Sequence, residues 1–548
     1  MPPSGVPRVA LSRLPGERVR VVGADGEREL PASELAAHVA EIEQDGARWV
    51  WDDTARWYPP LLEAGVRVAR CHDLRLSRRI LTRAPAVDRD LLEGDDADLW
   101  DRLGPAVAAL PTLFPVDDRI EHLDAGVEDR RQLAAVAASS EAGRLRLLLA
   151  AESAGALAAA EMTHAGIPWS REVHERILDE QLGPRPPRGA RPAELEALAN
   201  ELRELLRTPG LNPDSRPELL AALQRSGLTL TDVRASTLRR QTHPCIEPLL
   251  RYKRLSHLFS NNGWEWIDQW VRGDRLHPAY QPAGSSTGRW SSNGGGALSI
   301  PMQVRPAAVA DEGWCLVVAD VAQLEPRVLA GMSNDHALAG AARGADLYQA
   351  IVDDGAVASR AEAKVGMLGA LYGATTGDSG RMLPALMRRY PRAMGLVEDA
   401  ARAGERAQVV RTQLGRGSTI GGADDWGHTD EGAPADPDAQ ASRRRSWGRF
   451  TRNFVVQGTG AEWALCWIAE LRNSLWRLGG QGALTARPHL VFFLHDEVVV
   501  HAPSELADKV TACLTEAAAS AASLVFPDVS IDFPLNVTVV RSYAEAGK

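Results

Sequence analysis

Lysine is almost missing from this chain: of 62 basic residues only Lys253, Lys364, Lys509 and Lys548 are lysine. With abundant Ala, Gly, Pro and Arg, the bias fits a GC-rich genome. Where a generic positive charge serves, the chain writes arginine, so a central lysine points to chemistry that arginine cannot do. Cysteine is scarce too. Cys71, Cys245, Cys315, Cys466 and Cys513 lack metal-ligand or disulfide spacing, which excludes a disulfide framework and fits a reducing interior. Although 45% of residues are hydrophobic, no apolar run approaches membrane-spanning length. The start at Met1 lacks a charged segment followed by a hydrophobic one, so no signal peptide is expected and the location is read as cytoplasmic. A net charge of −10 argues against a polyanionic partner only on average. From Ser359 to Arg416 there are ten basic and five acidic residues, a local excess of +5.

A chain of 548 residues exceeds one core, and two to four domains are expected. Residues 18–81 alternate between the two periodicities. Strands are predicted around the Asp25-Gly26 turn, at 48–51 and at 66–70, and helices at 32–40, 57–64 and 76–81. That alternation implies a small α/β domain. A long helix is predicted from about Val127 to His164, broken by Gly143 and Gly155, with Gly166 as its stop. Residues 168–275 read as mainly helical. Within them a basic amphipathic helix, 246–259, presents Arg251, Lys253, Arg254 and His257, either as a solvated face or as a phosphate contact.

Three later stretches carry chemistry. The apolar run Leu316–Ala319 implies a buried strand that delivers Asp320 at its end, with a helix starting near Gln323. A carboxylate there is costly unless paired or metal-bound, although a helix N-cap would use the same residue. Arg360, Lys364, Leu368 and Tyr372 recur every four residues, so they form a slanted stripe on one helix face. Two cations, an apolar residue and a tyrosine in that order suit a triphosphate, then sugar and base. In 491–501, apolar runs flank His495-Asp496-Glu497, a hairpin whose turn carries two carboxylates suited to magnesium. An ordinary polar turn would read the same. Between these lie a Gly/Ser-rich loop holding Arg289, a polar stretch 421–446 read as an exposed insertion, and a helix from Arg449 to about Leu478. A C-terminal helix from Ser504 to Leu524 and a strand, 535–540, complete the reading.

Taken together and in order, these stretches resemble family A DNA polymerases, and most of all short actinobacterial polymerase I-like proteins described as bifunctional 3′–5′ exonuclease/DNA polymerase. Asp320–Arg327 looks like motif A, Arg360–Gly373 like motif B and Phe493–Glu497 like motif C. Thr287–Ser292 and Arg449–Thr459 are similar to two template-primer motifs. The resemblance covers roughly residues 166–548 well and the N-terminal part weakly.

What it implies is a multidomain α/β chain with a right-hand polymerase fold. The expected parts are a degenerate RNase H-like 3′–5′ exonuclease domain at 1–165, thumb at 166–275, palm at 276–330 and 447–548, and fingers at 331–446. The implied activity is template- and primer-dependent addition of dNTPs to a 3′-hydroxyl, in repair or gap filling. Asp320, Asp496 and the carbonyl of Val321 would hold two Mg²⁺ ions, for which Mn²⁺ substitutes, with Glu497 in support. Lys364 would give a proton to the leaving pyrophosphate. Gln323, Glu325, Tyr348, Arg360, Lys364, Leu368 and Tyr372 would bind the dNTP, Glu325 and Tyr372 excluding a ribose 2′-hydroxyl. Lys253, Arg254, His257, Arg289, Arg449, Asn453, Gln457 and His495 would bind the primer-template. A monomer that is nucleoid-associated and has no membrane contact is expected.

The departures bear on quality. Leu368 stands where the family has phenylalanine, Pro326 breaks the usual motif A, Tyr348 replaces a histidine, and in the loop after Ser292 the stretch that follows Asn293, to Pro301, lacks the Asn and Gln side chains that normally read the minor groove. Relaxed fidelity follows. For the exonuclease, Asp25-Gly26-Glu27 falls at a turn and Trp57 stands where an aspartate belongs, so an inactive remnant without proofreading is expected. Two other classes fit less well: a catalytically weak DNA-binding remnant, which would have shed the costly charges, and a single-subunit RNA polymerase-like enzyme, which Glu325 disfavours.

Overall fold

The computed structural model describes residues 6–105, 123–295, 300–344, 346–374, 377–419, 437–480 and 482–547. The first sheet is built from β1 (Arg8–Leu14), buried continuously from Val9 to Ser12, β2 (Arg18–Gly23), which buries Val19 and Val21 in alternation, and β3 (Gly26–Pro31), which buries Leu30. Helix α1 (Leu35–Glu43) leads to β4 (Arg48–Trp51), α2 (Thr54–Glu63) to β5 (Cys71–Asp73), and α3 (Leu74–Leu81) follows directly. The strand order is β3-β2-β1-β4-β5, antiparallel through the first three and parallel across β1, β4 and β5. Helices α4 (Ala97–Arg102), α5 (Ala125–Ala138) and α6 (Ala142–Ala165) come next.

Then β6 (Ile167–Pro168), α7 (Arg171–Leu182), α8 (Ala193–Leu205), α9 (Arg216–Arg225) and α10 (Ala235–Leu238) precede the basic helix α11 (Ile246–Asn262). After α12 (Trp264–Trp270), strands β7 (Val271–Arg272) and β8 (Arg275–Leu276) form an antiparallel sheet with β6 in the order β6-β8-β7. Strands β9 (Ala279–Gln281) and β10 (Ser291–Gly294) form a ribbon. The remaining chain runs β11 (Trp314–Val321), α13 (Leu324–Ser333), α14 (His336–Ala341), α15 (Leu347–Asp353), α16 (Arg360–Tyr372), α17 (Gly377–Arg389) and α18 (Pro391–Glu405). It ends with α19 (Pro437–Leu478), β12 (His489–Leu494), β13 (Glu497–Pro503), α20 (Ala507–Val525) and β14 (Leu535–Val540). The four-stranded sheet has the order β12-β13-β11-β14.

The chain divides into two compact units. One holds residues 1–165, 279–293 and 313–539; the other holds 166–278, 294–312 and 540–548. In the first unit the hydrophobic cores share α6. Its Leu157 packs with Val9, Leu11, Trp49, Trp51 and Tyr58 beneath the N-terminal sheet, while Leu148, Leu149 and Met162 belong to the core of α19 and β11. No helix among the described residues is long and apolar enough to cross a membrane.

Several predicted elements differ in the structure. The strand expected at 66–70 lies at Cys71–Asp73, because 67–69 is taken up by buried side-chain bonds described below. The long helix breaks at 139–141, before Gly143, and Gly155 does not interrupt it. A Cβ at 155 would sit 2.5 Å from Leu465 Cδ2, so that glycine serves close packing rather than a break. The stretch read as an exposed insertion is helical from 437 onward, and its remainder, together with 296–299 of the loop lacking amides, lies outside the described residues.

Candidate active site

Strand β11 is buried from Cys315 to Ala319 and emerges at half-exposed Asp320. Its antiparallel partner β13 sets Glu497 directly across from Asp320. The next rung is a backbone bond from Val321 N–H to the Asp496 carbonyl, 2.9 Å. Register therefore brings Asp320 and Asp496, residues 176 apart in sequence (496 − 320), to adjoining ends of neighbouring strands. The β12–β13 turn is tight. Asp496 N–H reaches the Leu494 carbonyl at 2.6 Å around His495, whose φ is +53°. Gln323, at the junction from β11 to α13, also has positive φ, +57°. Non-glycine residues in this region cost free energy and gather where function over-determines the backbone.

Two half-exposed carboxylates and a neighbouring carbonyl form a hard oxygen donor set, which fits magnesium or manganese. Among the described residues no group of three or more His, Cys, Asp or Glu is arranged for a metal. The set thus leaves coordination positions for water and substrate oxygens. Glu497, opposite Asp320 on β13, is 6% exposed.

Helix α16 carries the expected stripe. Ser359 caps it by accepting from Glu362 N–H, and Gly373 ends it at φ +72°. Ala363, Gly366, Met367, Ala370 and Leu371 are buried against the body, while Arg360, Lys364 and Tyr372 are exposed and Leu368 is half-buried. Gly369 lets α17 approach, because a Cβ there would clash with the Ser379 side chain. At the helix end the Tyr372 hydroxyl donates to Glu325 Oε2 at 2.6 Å, and Arg289 Nη2 donates to Glu325 Oε1 at 2.8 Å. Gln457 also bonds the Tyr372 hydroxyl. Burial first, then the Glu325 carboxylate, push that phenol up to about 12. Two distant segments, Arg289 and the end of α16, thus converge on one carboxylate.

Along α19, Arg449, Asn453 and Gln457 lie one turn apart on one face. Arg449 is exposed and donates to Ser446 Oγ at 2.8 Å. Asn453 keeps a buried Oδ1 without a hydrogen-bond partner, an acceptor suited to a ligand donor. His495 is pulled down to about 4, chiefly by burial and further by Arg289, so it is a neutral ring at neutral pH. Tyr348 is buried, its hydroxyl raised to about 12 by burial and by Glu325. Lys253, Arg254 and His257 lie on α11 in the second unit. Arg254 and His257 are exposed, while Lys253 is half-buried and lowered by burial and Arg216.

Two site residues escape the sequence reading. Asp346 caps α15 and binds Arg360 Nε at 2.6 Å; its signal was an aspartate just before a helix start. Arg327 is fully buried. It donates to the carbonyls of Ala322, Ala342, Gly344 and Asp532 at 2.7–3.0 Å and to Gln323 Oε1 at 3.2 Å. It thereby fixes the backbone that follows Asp320.

In the N-terminal segment, Asp25 and Glu27 sit at the exposed β2–β3 turn. Asp129 is bound by Arg8, Glu128 by Arg78 at 3.0 Å, and Asp52 by the Trp57 indole.

The fold is that of a polymerase POL domain. Over 99% of this chain and 96% of the other, with a TM-score of 0.70 and 18% identity, it matches the solved POL domain of Pol1 from M. smegmatis in complex with DNA primer-template and dNTP. The chain belongs to DNA polymerase family A, whose model matches residues 199–545, well over half its length. It is 29% identical to the thermostable DNA polymerase I of Thermus filiformis over 68% of this chain and 47% of that one. To DNA polymerase I of Chloroflexus aurantiacus it is 27% identical over 61% of this chain and 36% of that one. The chain therefore spans about half or less of the length of these curated relatives.

Proposed function

We propose that the chain is a template- and primer-dependent DNA polymerase. One observation carries the reading: the β11–β13 register that sets Asp320 beside Asp496 at the end of a buried sheet. Divalent ions bound there, magnesium or manganese, would lower the pKa of the primer hydroxyl and offset charge on the triphosphate. Asp320, Asp496 and the Val321 carbonyl would hold them, and buried Glu497 would keep Asp320 in place. Arg360 grips the triphosphate. Lys364 donates a proton to the leaving pyrophosphate; arginine, with a pKa above about 12, would not do so readily. The carboxylate of Glu325, fixed by Tyr372 and Arg289, fills the space of a ribose 2′-hydroxyl. Gln323, Tyr348 and Leu368 complete the nucleotide site. Arg289, Arg449, Asn453, Gln457 and neutral His495 line the primer-template path, and Lys253, Arg254 and His257 hold the duplex backbone.

Residues 1–165 are read as a degenerate, RNase H-like exonuclease domain without proofreading. Supporting this are the β3-β2-β1-β4-β5 order and the neutralisation of Asp129 and Glu128 by arginines. Thumb at 166–275, palm at 276–330 and 447–548, and fingers at 331–446 complete the assignment, with gap filling in repair as the role. Primer extension with dNTPs tests it. Asp496→Asn should abolish extension by the full chain while its affinity for primer-template changes little. Extension at the wild-type rate by that variant would refute the reading, and rNTPs used as readily as dNTPs would shift it to an RNA polymerase.

A further inference from the structure

Arg360 is exposed, and an exposed arginine ordinarily samples many rotamers. Here it is held. Its Nε donates to Asp346 Oδ2 at 2.6 Å, and the face of the Tyr348 ring lies 5.8 Å from its guanidinium carbon. Binding through Nε leaves both terminal NH₂ groups, the prongs that match a phosphate, without a partner among the described residues. Asp346 is itself fixed. Its Oδ1 accepts from Gln323 Nε2 at 2.8 Å and from the N–H groups of Tyr348 and Gln349 at 3.1 and 3.2 Å. Gln323 closes the loop from the other side: its Oε1 accepts from Leu347 N–H at 2.9 Å and from buried Arg327 at 3.2 Å. A continuous hydrogen-bonded path therefore runs from the junction just after Asp320, through Gln323 and Asp346, to the guanidinium on α16.

We propose that Asp346 is a positioning residue for the incoming nucleotide, holding Arg360 by its Nε with the two terminal groups ready for the triphosphate. This rests on the reading of α16 as the triphosphate-binding helix. A tethered arginine has already lost the freedom that binding would otherwise remove. The carboxylate stays ionised for this task. Burial pushes its pKa upward, but bonds from Arg360, Gln349 N–H and Gln323 outweigh that and hold it below the usual value.

Single-nucleotide insertion by the full chain tests the proposal, with Asp346→Ser and Asp346→Asn as variants. Serine still caps α15, and asparagine keeps the shape without the charge. The expected result is a KM for dNTP raised about tenfold in both variants, with kcat within about threefold and primer-template affinity unchanged. In an Arg360→Ala background Asp346→Ser should add nothing further, because the effect acts through that arginine. An unchanged KM in both variants, or the same rise with Arg360 already gone, overturns the proposal. If Arg360→Ala itself leaves KM unaltered, the assignment of α16 to the triphosphate fails instead, and that failure is read from this variant alone.

Discussion

Glu325 accepts from a tyrosine on α16 and an arginine beside β10, and its exposure is low. Removing it leaves both donors facing an opening large enough for a hydroxyl. Glu325→Ala should lower discrimination between dATP and ATP by about a hundredfold, measured as the ratio of kcat/KM values. Leu368→Phe should act oppositely on affinity. Stacking contributes about 1–3 kcal/mol per base, so KM for dNTP should fall and misinsertion with it, checked by gel extension with three nucleotides. Glu462 carries a pH dependence. It is fully buried on α19, and burial raises it from 4.5 to about 7, against bonds from Thr412 and Leu414 N–H and the charge of Arg416. A raised carboxyl stabilises the fold fully below its ordinary value, and that stability is lost as pH rises through 7. The melting temperature should therefore decline between about pH 5 and about pH 8, and Glu462→Gln should flatten the decline.

Elements that answer to their own residues were legible; those that answer to distant ones were not. The hairpin around His495, the stripe of α16 and the buried run of β11 follow from alternation, helical spacing and cap residues within a dozen positions. The partnership of Asp320 with Asp496 needed the resemblance, because register between far segments leaves no local mark. Helix α6 shows the limit more sharply. Glycine at 155 reads locally as a break, yet Leu465 from α19 lies where its side chain would be, and tertiary packing decides. Gly155→Val should thus improve helix propensity and still destabilise the protein, by about 1–3 kcal/mol in denaturant unfolding, through overpacking. Asp346 was passed over for a related reason: as a cap it is ordinary, and its second partner lies fourteen residues away on another helix.

Within the first unit the N-terminal sheet is fastened to α19 by a buried ionic cluster. Arg472 donates to Glu161 on α6, at 3.0 Å from Nε, and to the carbonyls of Val68 and Ala69 at 2.7 and 2.9 Å. Tyr58 donates to the same glutamate at 2.7 Å, and Arg67 reaches Asn473 at 2.9 Å. Despite burial, Glu161 is held below its ordinary pKa by Arg472 and Arg67. Arg472→Met would leave Glu161 only Tyr58 and Arg67 and would take the arginine from the two carbonyls, so a loss of about 3 kcal/mol in unfolding free energy is expected. Metal-dependent shortening of single-stranded primer should be absent from the Asp320→Ala protein, and its presence would overturn the remnant reading.

The same cluster bears on truncation. Without the first 165 residues, Arg472 would lie bare on the helix that also carries Asn453 and Gln457. The N-terminal sheet is therefore a structural requirement of that helix, and shortening the chain from its start would cost more than the segment removed.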